Sequence, residues 1–246
     1  MKRVRFKIEY DGTKFSGYQI QHNGRTVQEE LEKALSKLHK GKPIKISASG
    51  RTDAGVHAKG QVIHFDTPLE LAEFNWKSAL SSLLPDDIQI AAVDEVDADF
   101  HSRYDAREKE YRYYVWNAQD PDFFRRHYTC HIRRALNIEA MRDACTLIEG
   151  EHDFTSFCSA KTNIKGSKVR TITEARIAAS GSELVFIFKG TGFLYNMVRI
   201  LVGTILEVGL EERSIDDIPR IIQKRDREAA GKTAPSRGLF LWKVDY

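Results

Sequence analysis

With 246 residues, 41% hydrophobic and 30% charged, the chain has a soluble globular composition and enough length for one large domain or two fused half-size units, which excludes long disorder. Its formal charge of +3 does not by itself point to nucleic acid, because an RNA-binding protein needs a basic face and not a basic total. Apolar runs fall short of the roughly 18 residues of a membrane span, and Met1-Lys2-Arg3-Val4-Arg5 has no signal-peptide core, so a cytoplasmic protein with no membrane contact is expected.

Residues 3–10 alternate strictly, with Val4, Phe6, Ile8 and Tyr10 on one side and Arg3, Arg5, Lys7 and Glu9 on the other, which predicts a half-buried strand. Asp11-Gly12-Thr13 breaks it, and residues 15–21 form an aromatic and polar loop. Thr26 and Glu29 then make a capping box for a helix whose apolar face is Val27, Leu31, Ala34, Leu35 and Leu38, ended by Gly41 and Pro43. Strand-like runs (Ile44, Ile46, Ala48; then Val62, Ile63, Phe65) flank a loop bounded by Gly50 and Gly55. A helix over about 73–84, stopped by Pro85, and a strand over 88–96 complete a β-α-β-β-α-β order, the ferredoxin-like plan also used by RNA-recognition modules.

The second half runs through the same plan with longer insertions: an aromatic strand at 111–116, a helix at 138–148 behind Asn137, and strands at 169–178 and 183–189. Leu184 to Phe188 reads LVFIF without alternation, which places it at a sheet centre with both faces covered. Helices over about 194–208 and 215–225, the latter capped by Ser214, precede a last strand near 239–244. No sequence repeat links the halves. The expected fold is α+β: two ferredoxin-like (RRM-like) half-domains, about 1–100 and 101–246. They share one continuous, mainly antiparallel sheet with helices packed on it, and form a single catalytic domain with a basic active-site cleft across the join.

The glycine-bounded loop Gly50-Arg51-Thr52-Asp53-Ala54-Gly55 presents an acid between two strands, the way binding and catalytic groups are often displayed. The same residues also suit a plain polar turn, with Asp53 bonded to its own backbone and Arg51 solvated. In Lys109-Glu110-Tyr111-Arg112-Tyr113-Tyr114-Val115, Tyr111, Tyr113 and Val115 share one face. Such a strand is either core or a surface on which a base stacks, a contact worth about 1–3 kcal/mol. Arg199 interrupts an otherwise apolar helix, as a snorkelling surface side chain commonly does. His57 and His64 are seven apart with no third ligand in pattern, and Cys130, Cys145 and Cys158 are odd in number and contain no C-x-x-C, so no metal and no disulfide framework are expected. Gly231-Lys232-Thr233 hints at a phosphate loop, but position 226 is Asp where that loop requires Gly, so no nucleotide cofactor is expected. Basic residues cluster in Arg103, Arg107, Lys109 and Arg112, in Arg125, Arg126, Arg133 and Arg134, and in Lys161, Lys165, Lys168 and Arg170. Each is either a solvated face or part of a phosphate track whose binding weakens with salt.

Gly50-Arg51-Thr52-Asp53-Ala54-Gly55-Val56-His57-Ala58 resembles the catalytic motif of the tRNA pseudouridine synthase A (TruA) family. The strand around Tyr111, the run Gly192-Phe193-Leu194-Tyr195-Asn196-Met197-Val198-Arg199-Ile200-Leu201-Val202-Gly203, and Ala234-Pro235-Ser236-Arg237-Gly238-Leu239-Phe240-Leu241 resemble its other motifs, so the likeness spans nearly the whole chain. Tyr18 stands where the family commonly has Trp, and Arg237 and Phe240 where Gln and Tyr are commoner. The resemblance implies an isomerase that converts uridine to pseudouridine at nucleotides 38, 39 and 40 in the anticodon stem-loop of tRNA, acting as a homodimer and needing no metal or organic cofactor. It implies Asp53 as the catalytic carboxylate, Arg199 as its ion-pair partner, Tyr111 and Leu239 against the target base, and Arg51 entering the stack that the base leaves. Two rivals from other classes are a non-catalytic RNA-binding module and a base-cleaving glycosidase, which usually wants two carboxylates flanking the bond.

Overall fold

The computed structural model describes residues 1–159 and 166–246 and divides them into two compact units, Met1–Arg107 with Phe240–Tyr246, and Glu108–Leu239. In the first unit, strand β1 (Lys2–Tyr10) buries the predicted face: Val4, Phe6, Ile8 and Tyr10 are all at most 5% exposed. Helix α1 (Val27–Leu38) starts at Thr26, whose Oγ1 accepts from the Glu29 backbone N at 3.4 Å. The Glu29 carboxylate meets Lys33 one turn on, at 2.7 Å.

Strands β2 (Ser47–Ala48) and β3 (His57–Thr67), helix α2 (Glu73–Ser81) and strand β4 (Ile88–Val96) follow. The order across the sheet is β4-β1-β3-β2, all antiparallel, which is the ferredoxin-like arrangement. Helix α2 ends three residues earlier than its apolar pattern suggests, where Leu83 and Leu84 both turn back onto the Leu80 carbonyl. Its Trp76 sets its ring edge against Phe6 and Phe65, at centroid distances of 5.3 and 6.0 Å, and centres the core of this unit.

Strand β10 (Leu239–Asp245) joins β3 in parallel, Phe240 opposite His57 and Leu241 opposite Ala58. A side chain at Gly60 would overlap the Trp242 carbonyl, so glycine is what lets the two backbones approach there.

The second unit contains strand β5 (Glu108–Asn117), β6 (Cys130–Ile132), helix α3 (Ile138–Thr146), β7 (Gly150–Asp153), β8 (Val169–Ser180), β9 (Glu183–Gly190), and helices α4 (Met197–Gly209) and α5 (Asp217–Lys224). Its antiparallel sheet runs β5-β9-β8-β7, with β6 added to β5 in parallel. Taken without the insertions, β5-α3-β8-β9-α4 repeats the plan of the first unit, with the strands in the same spatial order. Strand β9 lies between two partners, and Leu184, Phe186, Ile187 and Phe188 are buried, as the unbroken LVFIF run predicts.

Two helix starts differ from expectation. Helix α4 begins at Met197 because Asn196 takes a left-handed conformation at φ 60, which Asn tolerates better than most residues. Ser214 does not cap α5. It closes the turn before it, its hydroxyl accepting from Asp216 N, and the helix begins at Asp217. Strands β6 and β7 were not predicted, being three and four residues long with polar members and no alternation to mark them. Among the described residues no helix is long and apolar enough to cross a membrane.

Candidate active site

Asp53 belongs to the first unit, on the loop between β2 and β3, and is half-buried; Arg51 beside it is exposed. The loop is a built object. The β2–β3 ladder continues into it through Ser49 N to the Val62 carbonyl at 2.8 Å. Val56 N closes a turn onto the Asp53 carbonyl at 3.1 Å, with Gly55 at φ 74 supplying the left-handed residue the turn needs. Gly50, expected to share that role, is not among the residues of positive φ. Its carbonyl instead accepts from Gln61 Nε2 at 2.8 Å.

Residues 10–18 clamp the loop from the other side. Tyr18 N donates to the Thr52 carbonyl at 3.0 Å, Gly55 N to Phe15 O at 3.3 Å, and Gly12 N to His57 Nδ1 at 3.0 Å. A side chain on Gly12 would overlap the Val56 backbone, so the clamp closes only around glycine. Beneath the loop the Tyr10 hydroxyl and Thr52 Oγ1 are 2.7 Å apart, both buried. Burial pushes the Tyr10 pKa up to about 12, so it is a neutral hydroxyl at physiological pH.

Tyr111, Arg199 and Leu239 belong to the second unit. Tyr113 and Val115 are fully buried on the face they share with Tyr111, while Tyr111, nearer the strand's start, stays half-buried with its ring edge-on to Phe193 at 5.1 Å. Of the two rings on that face, Tyr111 is thus the one left accessible. Arg199 is half-buried and is anchored from behind. Its Nε donates to the Ala234 carbonyl at 2.7 Å and its Nη1 to Asn196 Oδ1 at 2.9 Å, while Ala234 N donates back to the Arg199 carbonyl at 3.0 Å.

Those bonds belong to a strap, residues 230–235, laid along α4. Gly231 N donates to Thr204 Oγ1 at 2.9 Å and Lys232 N to Glu207 Oε1 at 3.0 Å. The Tyr113 hydroxyl donates to the Pro235 carbonyl at 2.8 Å. Leu239, 5% exposed, follows Gly238, where a side chain would strike the Tyr113 ring. The Gly231 and Lys232 amides are therefore spent on α4, the second of them on a carboxylate, and neither is presented as a phosphate cradle would present it.

Both histidines weighed as ligands are structural. His57, 1% exposed, accepts from Gly12 N and stacks on Phe240 at 4.5 Å. His64 accepts from Ser102 N at 3.1 Å, and burial lowers its pKa to about 4. All three cysteines are buried and outside any disulfide, and burial pushes the Cys145 thiol up to about 12. Of the basic clusters, Arg112 pairs with Glu110 at 2.6 Å, Arg125 with Glu183, and Arg134 with Glu212, while Arg133 donates to the Gln119 carbonyl. Lys161 and Lys165 lie outside the described residues. Of the departures from the family pattern, Arg237 donates to the Thr129 carbonyl at 3.0 Å, and Tyr18 is buried with no hydrogen-bond partner for its hydroxyl among the described residues. Sequence reasoning missed Gln61, Asn196 and the strap. Only Gln61 carried a signal, an amide directly ahead of the apolar pair Val62-Ile63.

A family model described as tRNA pseudouridine synthase matches residues 7–105 and 144–246. The chain is 59% identical to tRNA pseudouridine synthase A of Geobacillus sp. (strain WCH70) over 245 residues, covering 100% of this chain and 98% of the relative. It is 56% identical to the protein of that name from Geobacillus kaustophilus (strain HTA426), covering 100% and 95%. With the one from Oceanobacillus iheyensis the identity is 52%, over 100% and 97%.

Proposed function

The chain belongs to the tRNA pseudouridine synthase family, whose members are isomerases acting on tRNA, and from that premise we propose that it converts uridine to pseudouridine at nucleotides 38, 39 and 40 of the anticodon stem-loop with Asp53 as the acting carboxylate. The reaction breaks the bond between N1 and the sugar C1′, turns the uracil while it is held, and joins C5 to C1′; N1 gains a proton and C5 loses one. The carboxylate captures or stabilises C1′, attacks the base, or starts elimination at the neighbouring sugar carbon, and all three routes need it ionised beside a base that excludes water. Arg199 supplies the opposing charge, Tyr111 holds the detached base and takes the C5 proton, and Leu239 lies against the ring. Arg51 fills the stack the nucleotide leaves, offsetting a flipping cost of a few kcal/mol. The two units act as one catalytic domain in the cytoplasm, as a homodimer, with the basic clusters tracking phosphates.

The observation that carries this reading is the Asp53 loop, a closed turn clamped from both sides that leaves the acid half accessible. A solvated turn needs no such frame. The half-buried Tyr111 ring and an Arg199 guanidinium anchored at two nitrogens add to it, because a positioned cation loses less freedom when it meets an anion. Asp53→Asn tests it: tritium release from 5-labelled uridine in tRNA and pseudouridine at positions 38 to 40 should vanish while the RNA is still bound. Retention of either signal by the variant refutes the assignment of Asp53.

A further inference from the structure

Gln61 is completely buried on β3, just ahead of Val62 and Ile63, where an aliphatic residue would pack without the cost of desolvating an amide. Every polar atom of that amide is directed at the Asp53 loop or its foundation. Oε1 accepts from the Ser49 hydroxyl at 2.7 Å and from Val62 N at 3.1 Å, and Nε2 donates to the Gly50 carbonyl at 2.8 Å. On the neighbouring strand β1 the buried Tyr10 hydroxyl is 2.7 Å from Thr52 Oγ1.

An amide nitrogen only donates and an amide oxygen only accepts, so Nε2 meets the Gly50 carbonyl while Oε1 takes the Ser49 hydroxyl and Val62 N. Tyr10 and Thr52 share a hydroxyl–hydroxyl bond at the residue next to Asp53. We propose that Gln61 and Tyr10 are positioning residues for the isomerisation: through Ser49, Gly50 and Thr52 they hold the backbone that carries Asp53 in its reactive place. Both side chains are buried, so they act through that backbone. Buried hydrogen-bonded groups of this kind specify one geometry at the expense of desolvation. The inference rests on Asp53 being the acting carboxylate.

The test uses variants that keep shape and remove one hydroxyl each, Tyr10→Phe and Thr52→Val, with Thr52→Ser as the conservative control. Single-turnover rates and tRNA affinity are measured well below each variant's melting temperature, so that unfolded protein does not contribute. A displacement of the acid by a fraction of an ångström to an ångström lowers kcat about 10- to 100-fold. KM for tRNA should stay within about twofold and Thr52→Ser should recover the rate, because positioning acts on the chemical step alone. The proposal is overturned if both variants turn over at the parental rate, if kcat and KM change together, or if Thr52→Ser is as slow as Thr52→Val. Should Tyr10→Phe not fold, Ser49→Ala probes the Gln61 Oε1 arm under the same criteria. Activity surviving in Asp53→Asn would remove the parent reading itself, whereas a dead Asp53→Asn beside fully active Tyr10→Phe and Thr52→Val would remove only this inference.

Discussion

Replacing His64 by Asn should take away a defined part of the protein's acid sensitivity. The His64 side chain is 6% exposed, and its Nδ1 accepts a hydrogen from Ser102 N, a backbone donor that cannot reverse its role, and lies 2.9 Å from Ser102 Oγ, which donates to the Ser47 carbonyl. Protonating Nδ1 breaks the bond from Ser102 N, and although the new hydrogen can meet Ser102 Oγ, the charge it brings stays buried. Burial is the main reason the native pKa falls to about 4; the neighbouring His101 and Arg3 push it the same way, while Asp66 and Asp105 oppose them. The unfolded chain takes up this proton near pH 6.5, so between 6.5 and 4 it binds more protons than the native state and stability drops as pH falls. Above pH 6.5 the contribution is fully present; below 4 nothing more is lost. At about 1.4 kcal/mol per pKa unit the whole window is worth at most about 3 kcal/mol, of which about 2 is gone at pH 5. Asn at 64 places its Oδ1 near the Nδ1 position, can accept from Ser102 N, and does not titrate. Urea unfolding of both proteins at pH 7.5 and 5.0 should show the parent losing about 2 kcal/mol more than His64→Asn over that interval. Parallel losses would show that the ring keeps its ordinary pKa when folded, and the argument from the Ser102 contact would fail.

Gly203→Ala should destabilise the protein by about 1–3 kcal/mol, because the new methyl overlaps the Lys232 carbonyl of the strap. The change in an unconstrained helix would instead stabilise by about 0.8–1 kcal/mol, so the sign decides. The same variant should slow turnover, since Ala234 on that strap anchors Arg199; thermal melting and single-turnover assays read the two effects, and a raised melting temperature refutes the packing argument. Sedimentation at micromolar concentration should give a homodimer, and an active monomer would remove that proposal.

Much of the fold was legible because it is written in local periodicity. The alternation of residues 3–10 gave β1 its face, the caps Thr26 and Asn137 accept from the third amide on as capping residues do, and β4 begins and ends where its pattern does. What misled were positions whose conformation depends on distant neighbours. Asn196 stops α4 short of its apolar pattern, since an αL residue at 196 turns one amide toward Arg199. Gly231-Lys232-Thr233, rejected as a phosphate loop because position 226 is Asp, is a strap whose Gly231 and Lys232 amides go to Thr204 and Glu207 on α4, which no local pattern shows.

From the sequence by itself come the element types, the apolar faces, the accessible acid and its family, since each depends on residues a few positions apart or on a long motif. Only the tertiary structure decided which buried polar groups have partners. Gln61 on β3, read alone, is a costly buried amide; with Ser49, Gly50 and Val62 bonded to it the cost is offset and a loop is held. Arg199 likewise differs from a surface cation by virtue of a carbonyl at Ala234 that no local pattern predicts. Hydrophobic burial is nearly non-directional and leaves its mark as periodicity, whereas a hydrogen bond needs one particular atom at one distance, and the chain brings that atom in from anywhere along its length.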